Sequence, residues 1–282
     1  MRWVPRGRSR NILDRRGTPA FGGRGAPVGL GIGGILVLLV LSAIFGQDFL
    51  GLLSGPGTGS TVSDPARDAA EEEMVQFVSF VLDDTQQVWQ QILPSVGTPY
   101  QDARLVLFRD AVDSTCGFAE AATGPFYCPG DQNVYIDLTF FEELRSRFRA
   151  PGDFAQGYVL AHEIGHHVQN LLGIADQVRR AQRANPGSAN ALSVRLELQA
   201  DCFAGIWGHS TRQRNLLEQG DIEEGLNAAA AIGDDRLQRM AQGRVSPDSF
   251  THGTSQQRAT WFRRGFESGM VADCDTFRSR TV

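Results

Sequence analysis

Residues 28–45 read VGLGIGGILVLLVLSAIF, 18 positions without a charged side chain. As a helix this run is about 27 Å long, close to the roughly 30 Å hydrocarbon core of a bilayer. The sequence therefore predicts a single transmembrane anchor over residues 28–46. A secretory signal has a shorter apolar stretch and a small-residue cleavage site, and Ser42-Ala43-Ile44-Phe45-Gly46 is a poor match to one, so the anchor is expected to stay uncleaved. Residues 1–27 hold seven arginines against Asp14 alone, a local charge of +6. By the positive-inside rule this head stays in the cytoplasm and everything after Gly46 lies on the other side of the cytoplasmic (inner) membrane. Rich in Arg, Gly and Pro, it reads as a disordered cytoplasmic tail.

Beyond the head, 20 arginines stand against 31 acids, a charge of −11, and so acidic a body excludes nucleic acid as a partner. There is no lysine, which rules out a lysine nucleophile or Schiff base. All four cysteines, Cys116, Cys128, Cys202 and Cys274, follow the anchor, in the compartment where disulfides persist. Four cysteines allow three pairings. No CxxC spacing suggests a zinc ribbon, and Cys116 and Cys128 enclose a short loop, which favours 116 with 128 and 202 with 274.

Residues 47–63 are Gly-, Ser- and Thr-rich and form a flexible linker, with a folded domain over 64–282. From 64 to 93 apolar residues recur at steps of three and four behind an Asp64-Pro65 start signal, the pattern of an amphipathic helix. Glu71, Glu72 and Glu73 read as a solvated helix start. Residues 103–108 and 133–138 are short β-prone runs bounded by turn residues. After Asp153 the pattern is helical almost to the end, with breaks at Gly173, Asn185-Pro186-Gly187, Gly220 and 243–253. The fold class that follows is a mainly helical α+β domain with a small early sheet, preceded by one transmembrane helix. Within it, 221–242 reads as a packing helix, and Asp234-Asp235 lacks the DxDxDG loop that calcium would require.

The chemistry is concentrated in Leu160-Ala161-His162-Glu163-Ile164-Gly165-His166-His167. This is an HExxH motif inside a helical run, and a spacing of four puts His162 and His166 on one helical face, converging on one point. Zn2+ takes nitrogen, sulfur or carboxylate donors, and a catalytic site keeps one position open for water. Glu163 then stands where it can take that water's proton, as general base. His167 points about 100° from His166 and reads as structural. Two histidines bind zinc weakly, so a third ligand is required. The positions after His166 read His167-Val168-Gln169-Asn170, which excludes a third histidine in an HExxHxxGxxH string. A later helical run instead carries Glu197 and Asp201 four apart in apolar surroundings. Glu197 can complete a His, His, Glu set, and Asp201 can accept the free ring N–H of a ligand histidine and fix its tautomer.

HExxH followed by an ExxxD helix resembles the thermolysin-like gluzincins. The phrases GPFYCPGDQNVYIDLTFF (124–141), AHEIGHHVQN (161–170), ELQADCFAG (197–205) and THGTSQQRATWFRRGF (251–266) look like the bacterial neutral zinc metallopeptidase family. The resemblance covers most of 64–280 and the anchor. It implies a membrane-tethered, zincin-like zinc peptidase with His162, His166 and Glu197 as ligands and Glu163 as general base, and it names no substrate.

Hydrolysis through an oxyanion needs a donor besides the metal. His252 is the first candidate, with Tyr135 and His209 behind it. The run 133–137 could offer an edge to a peptide strand, and Phe140, Phe141, Trp261 and Phe262 could line a substrate pocket. The function expected is a membrane-anchored, extracytoplasmic, zinc-dependent peptidase acting on protein or peptide substrates, held in the membrane by residues 28–45. The alternative is an anchored scaffold or assembly factor that keeps the fold without catalysis. A third reading has the same site hydrolysing an amide in cell-wall material.

Overall fold

The computed structural model describes residues 1–18 and 65–279. Its strands are β1 (Ile12–Asp14), β2 (Arg104–Phe108), β3 (Ala111–Ser114), β4 (Gly117–Glu120), β5 (Phe126–Cys128) and β6 (Asn133–Asp137). Four of them form a mixed sheet in the order β1-β2-β6-β5. β1 and β6 run parallel to β2, with Ile12 opposite Leu105 and Asn133 opposite Arg104. β5 is antiparallel to β6, with Phe126 opposite Tyr135, and β3 and β4 form a separate hairpin. The runs on β2 and β6 are apolar without alternation because both faces of the sheet are covered. Leu105, Leu107, Val134 and Ile136 join the main core with the helices, while Val106, Phe108 and Tyr135 pack on the other face with Val112 and Cys128. The run 133–137 is not an edge: β6 is hydrogen-bonded to β2 on one side and to β5 on the other, and β1 and β5 are the edge strands.

The helices are α1 (Pro65–Ala70), α2 (Glu72–Ile92), α3 (Thr139–Ser146), α4 (Asp153–Leu171), α5 (Ile174–Ala184), α6 (Ala189–Gln213), α7 (Asp221–Ala231), α8 (Asp234–Gln242) and α9 (Ser255–Ser268). The run 221–242 is thus two helices. The chain turns between them because the Asp234 N–H bonds the Gly253 carbonyl, drawing α8 to the loop before α9. Helix α6 lies between α4 and α9. Its approach to α9 depends on Gly265, where a Cβ would stand 1.9 Å from the Cys202 carbonyl oxygen. A capping box starts α9: the Thr254 hydroxyl accepts from the Gln257 N–H, and the Gln257 side-chain oxygen accepts from the Thr254 N–H. Disulfides join Cys116 to Cys128, tying the hairpin to β5, and Cys202 to Cys274, tying α6 to the C-terminal segment.

The N-terminal segment departs from the expected disordered tail. Residues 1–18 pack against the domain: β1 adds to β2, the Met1 side chain is buried, and the Trp3 ring meets Phe77 edge-on at 5.3 Å. The Met1 α-amine donates to Asp153 at 2.5 Å and to Asp221 at 3.3 Å. Arg16 is buried and donates to Asp14 at 2.9 and 2.7 Å and to Glu71 at 2.8 Å. Glu71 is therefore not a solvated helix start, since it also accepts from Arg67 and Arg109. One arginine of this basic head, Arg16, is a buried cation matched by the neighbouring Asp14 and by Glu71 from far along the chain. Among the described residues no helix is long and apolar enough to cross a membrane. The run 28–45 and the linker 47–63 lie outside the described residues.

Candidate metal centre

Helix α4 carries His162 and His166 one turn apart, their ring centroids 4.8 Å from each other. Helix α6 brings Glu197 across to them, with Oε2 3.2 Å from His162 Nε2 and Oε1 3.5 Å from His166 Nε2. One ligand atom from each of the three lies within 4.8 Å of the others, a spacing that can hold a metal ion. The two helices meet closely because Gly165, inside the HExxH motif, faces Ala200. A Cβ there would stand 3.0 Å from the Ala200 carbonyl oxygen and push Glu197 away from the histidines.

The outer nitrogens are held by neighbours that fix the tautomers. His162 Nδ1 is 2.8 Å from Asp201 Oδ1, and a carboxylate only accepts, so Nδ1 carries the hydrogen. Asp201 is fully buried and also accepts from the Tyr158 hydroxyl at 2.5 Å and from Arg258 at 2.8 and 2.9 Å. His166 Nδ1 is 2.9 Å from the Gln169 side-chain oxygen. The Gln169 amide cannot be turned round, because its nitrogen donates to the Leu196 carbonyl at 2.6 Å and to Gln199 at 3.1 Å. With the hydrogen held on Nδ1, each Nε2 faces the Glu197 carboxylate, where it carries either a proton or, with that proton displaced, a metal ion. Such a set takes a cation. Burial opposes charge on His162, but Asp201 and Glu197 outweigh it and hold the imidazole up at about 9. Glu197, against its own burial, is held well below the usual carboxylate range by His166 and His162. Two imidazoles and one carboxylate fit zinc, with room for a fourth ligand.

The three side chains open on a cleft of about 640 Å³ shared with Glu163 and His252. The edge strand contributes Phe126 and Tyr127 to its wall. His252 Nδ1 lies 3.2 Å from Asp234 Oδ1, and the backbone N–H groups of Thr251, His252 and Gly253 donate to Asp234 Oδ2 at 2.7, 2.6 and 3.0 Å. Asp234 is thus the clamp of the His252 loop, and its hydrogen bond holds the His252 pKa above the ordinary imidazole value. Asp235 accepts from the Ser255 N–H and hydroxyl.

The remaining candidates fall outside the site. His209 donates through Nδ1 to the Phe266 carbonyl, and Tyr135 lies on the far face of the sheet, donating to Asp131 and stacked on Phe126. His167 is buried between the Gln101 carbonyl at 2.6 Å and the Tyr127 hydroxyl at 3.0 Å, holding the edge strand to α4. Of the four aromatics, Phe140 lines the cleft, whereas Phe141, Trp261 and Phe262 are core residues on the buried sides of their helices. Five participants were missed from sequence: Tyr158, Gln169, Tyr127, Asp234 and Arg258. Tyr158 stands four residues before His162 and Gln169 three after His166, so helical spacing could have found both. Arg258 carries no local signal.

An HExxH helix, a carboxylate brought to it from a later helix and an edge strand beside the cleft are consistent with a zincin-like domain. The chain belongs to the family described as "Putative neutral zinc metallopeptidase", whose family model matches residues 1–277. It is 50% identical to "Uncharacterized protein YpfJ" of Escherichia coli (strain K12) over 283 residues, 98% of this chain and 99% of the relative. It is 43% identical to "Uncharacterized protein Rv2575" of Mycobacterium tuberculosis (strain ATCC 25618 / H37Rv) over 201 residues, 67% of this chain and 66% of the relative. No solved structure matches.

Proposed function

We propose that the protein is a zinc-dependent peptidase of the extracytoplasmic side. The observation that carries this reading is the convergence of His162 Nε2, His166 Nε2 and a Glu197 oxygen within 4.8 Å, with Glu163 in the same cleft. Zinc held by these three would supply a Lewis acid and lower the pKa of a bound water to about 7. Glu163 takes the proton of the attacking water and delivers it to the leaving amine. His252, braced through Nδ1 by Asp234, turns its other ring nitrogen to the developing oxyanion. A substrate strand adds to the open edge of β5, which aligns its carbonyl over the histidines. The two disulfides support an oxidising compartment.

The test is zinc stoichiometry of the purified full chain beside its His166→Ala and Glu197→Gln variants, followed by a peptide-library cleavage assay. About one zinc per chain, lost in both variants, with cleavage abolished by Glu163→Gln, is the expected result. A folded, disulfide-intact protein that takes up no zinc on reconstitution would remove the reading.

A further inference from the structure

We propose that residues 1–18 and residues 65–279 lie on the same side of the membrane, so that the chain between them does not cross it a net single time. The inference does not depend on the peptidase reading. It rests on how the two parts are joined. Ile12, Leu13 and Asp14 pair with Leu105, Val106 and Leu107 in one sheet, and the Met1 amine sits on Asp153, at the start of the helix that carries the HExxH motif. Arg16, buried, is matched by Asp14 and Glu71. Arg109 grips both ends of the intervening chain: its guanidinium donates to the Arg16 carbonyl at 3.5 Å and to Asp68 and Glu71 at 2.7 Å each. The two described stretches that flank residues 19–64 are therefore held side by side on one part of the domain.

A helical crossing by 28–45 would separate its two ends by the full hydrocarbon thickness of roughly 30 Å. Residues 46–64, GQDFLGLLSGPGTGSTVSD, hold no second apolar run long enough for a crossing, since Asp48 and the Gly-, Ser- and Thr-rich stretch interrupt it. One crossing would thus pull β1 from β2 and leave Arg16, Asp14 and Glu71 without one another. The family model spans residues 1–277, so the segment and the domain belong to one family unit. The expected arrangement, amino terminus inside and domain outside, is replaced by one in which both face the oxidising side that the disulfides require.

Single-cysteine variants Val4→Cys and Met270→Cys of the full chain test this, since both positions are exposed, at 67% and 56%, and the four native cysteines are paired. A membrane-impermeant maleimide is applied to intact spheroplasts and again after lysis, with Arg10→Cys as a replacement should Val4→Cys fold poorly. Comparable labelling of the two sites before lysis is expected. Labelling of both only after lysis keeps the shared side and moves it to the cytoplasm. Labelling of position 270 before lysis and of position 4 only afterwards overturns the proposal.

Discussion

His162 Nδ1 donates at 2.8 Å to Asp201, a carboxylate with no solvent exposure whose charge is met by Arg258 on the same two oxygens. The pair aims His162 Nε2 at Glu197 and makes it a stronger base, so that a metal ion there displaces a proton. Asp201→Asn can present its amide nitrogen to the ring and reverse the tautomer. Zinc affinity should fall by about 10- to 100-fold, the usual cost of losing such a partner. Competition with a chromophoric chelator measures it, and an unchanged affinity would deny Asp201 the orienting role.

On the proposed mechanism, Glu163→Gln removes the proton acceptor and none of the three metal-holding side chains. Cleavage should drop by roughly 10²- to 10⁴-fold while zinc content stays that of the native protein. Metal analysis and turnover on the same sample separate the two effects; residual activity near that of the native chain would place the base elsewhere.

His252→Gln tests the proposed oxyanion donor. Because His252 touches none of the three ligands by hydrogen bond, zinc binding should persist, and kcat should fall by about 10²- to 10³-fold with KM little changed. A rise in KM with kcat intact would make His252 a substrate-binding residue instead.

The disulfides should contribute unequally to stability. Cys202–Cys274 spans 72 residues and Cys116–Cys128 spans 12. Loop-closure entropy then gives about 4 kcal/mol for the first and about 3 for the second. Thermal unfolding of the two Cys→Ala double variants measures the order, which is reversed if strain rather than chain entropy dominates.

Acid should release residues 1–18. Hydrogen bonds from Arg16 hold Asp14 below its ordinary 3.8; Glu71, despite its burial, is lowered from 4.5 by Arg16, Arg109 and Arg67, and Glu72 by Arg8. Carboxylates with lowered folded-state pKa values stabilise fully above their unfolded values and lose that contribution as pH falls through the folded ones. Amide exchange of Ile12–Asp14 should therefore be slow at neutral pH and accelerate below about pH 4 ahead of exchange in α4. Simultaneous loss of protection in both would show that the segment unfolds only with the whole domain.

How much of the site was legible depended on whether its residues share one element. His162, Glu163 and His166 lie on one helix and announce themselves by spacing, as does the ExxxD pair on α6. Asp234 and His252 lie apart in the chain, and their pairing follows from the turn between α7 and α8 that draws the Asp234 N–H to Gly253. The edge beside the cleft was not legible for a related reason: β5 is only three residues long and carries too little pattern to be seen, whereas the longer β6, a possible edge from sequence, lies in the sheet interior.

By itself the sequence determined the α+β class, the metal-binding motif and the acidic body, because helical periodicity, ligand spacing and charge are local or additive properties. Tertiary structure decided which strand is the edge, that Arg258 braces Asp201, and that an arginine-rich beginning is part of the fold. Those outcomes rest on contacts between distant residues, such as Arg16 with Glu71, where a buried cation is stable only because a carboxylate from another part of the chain meets it.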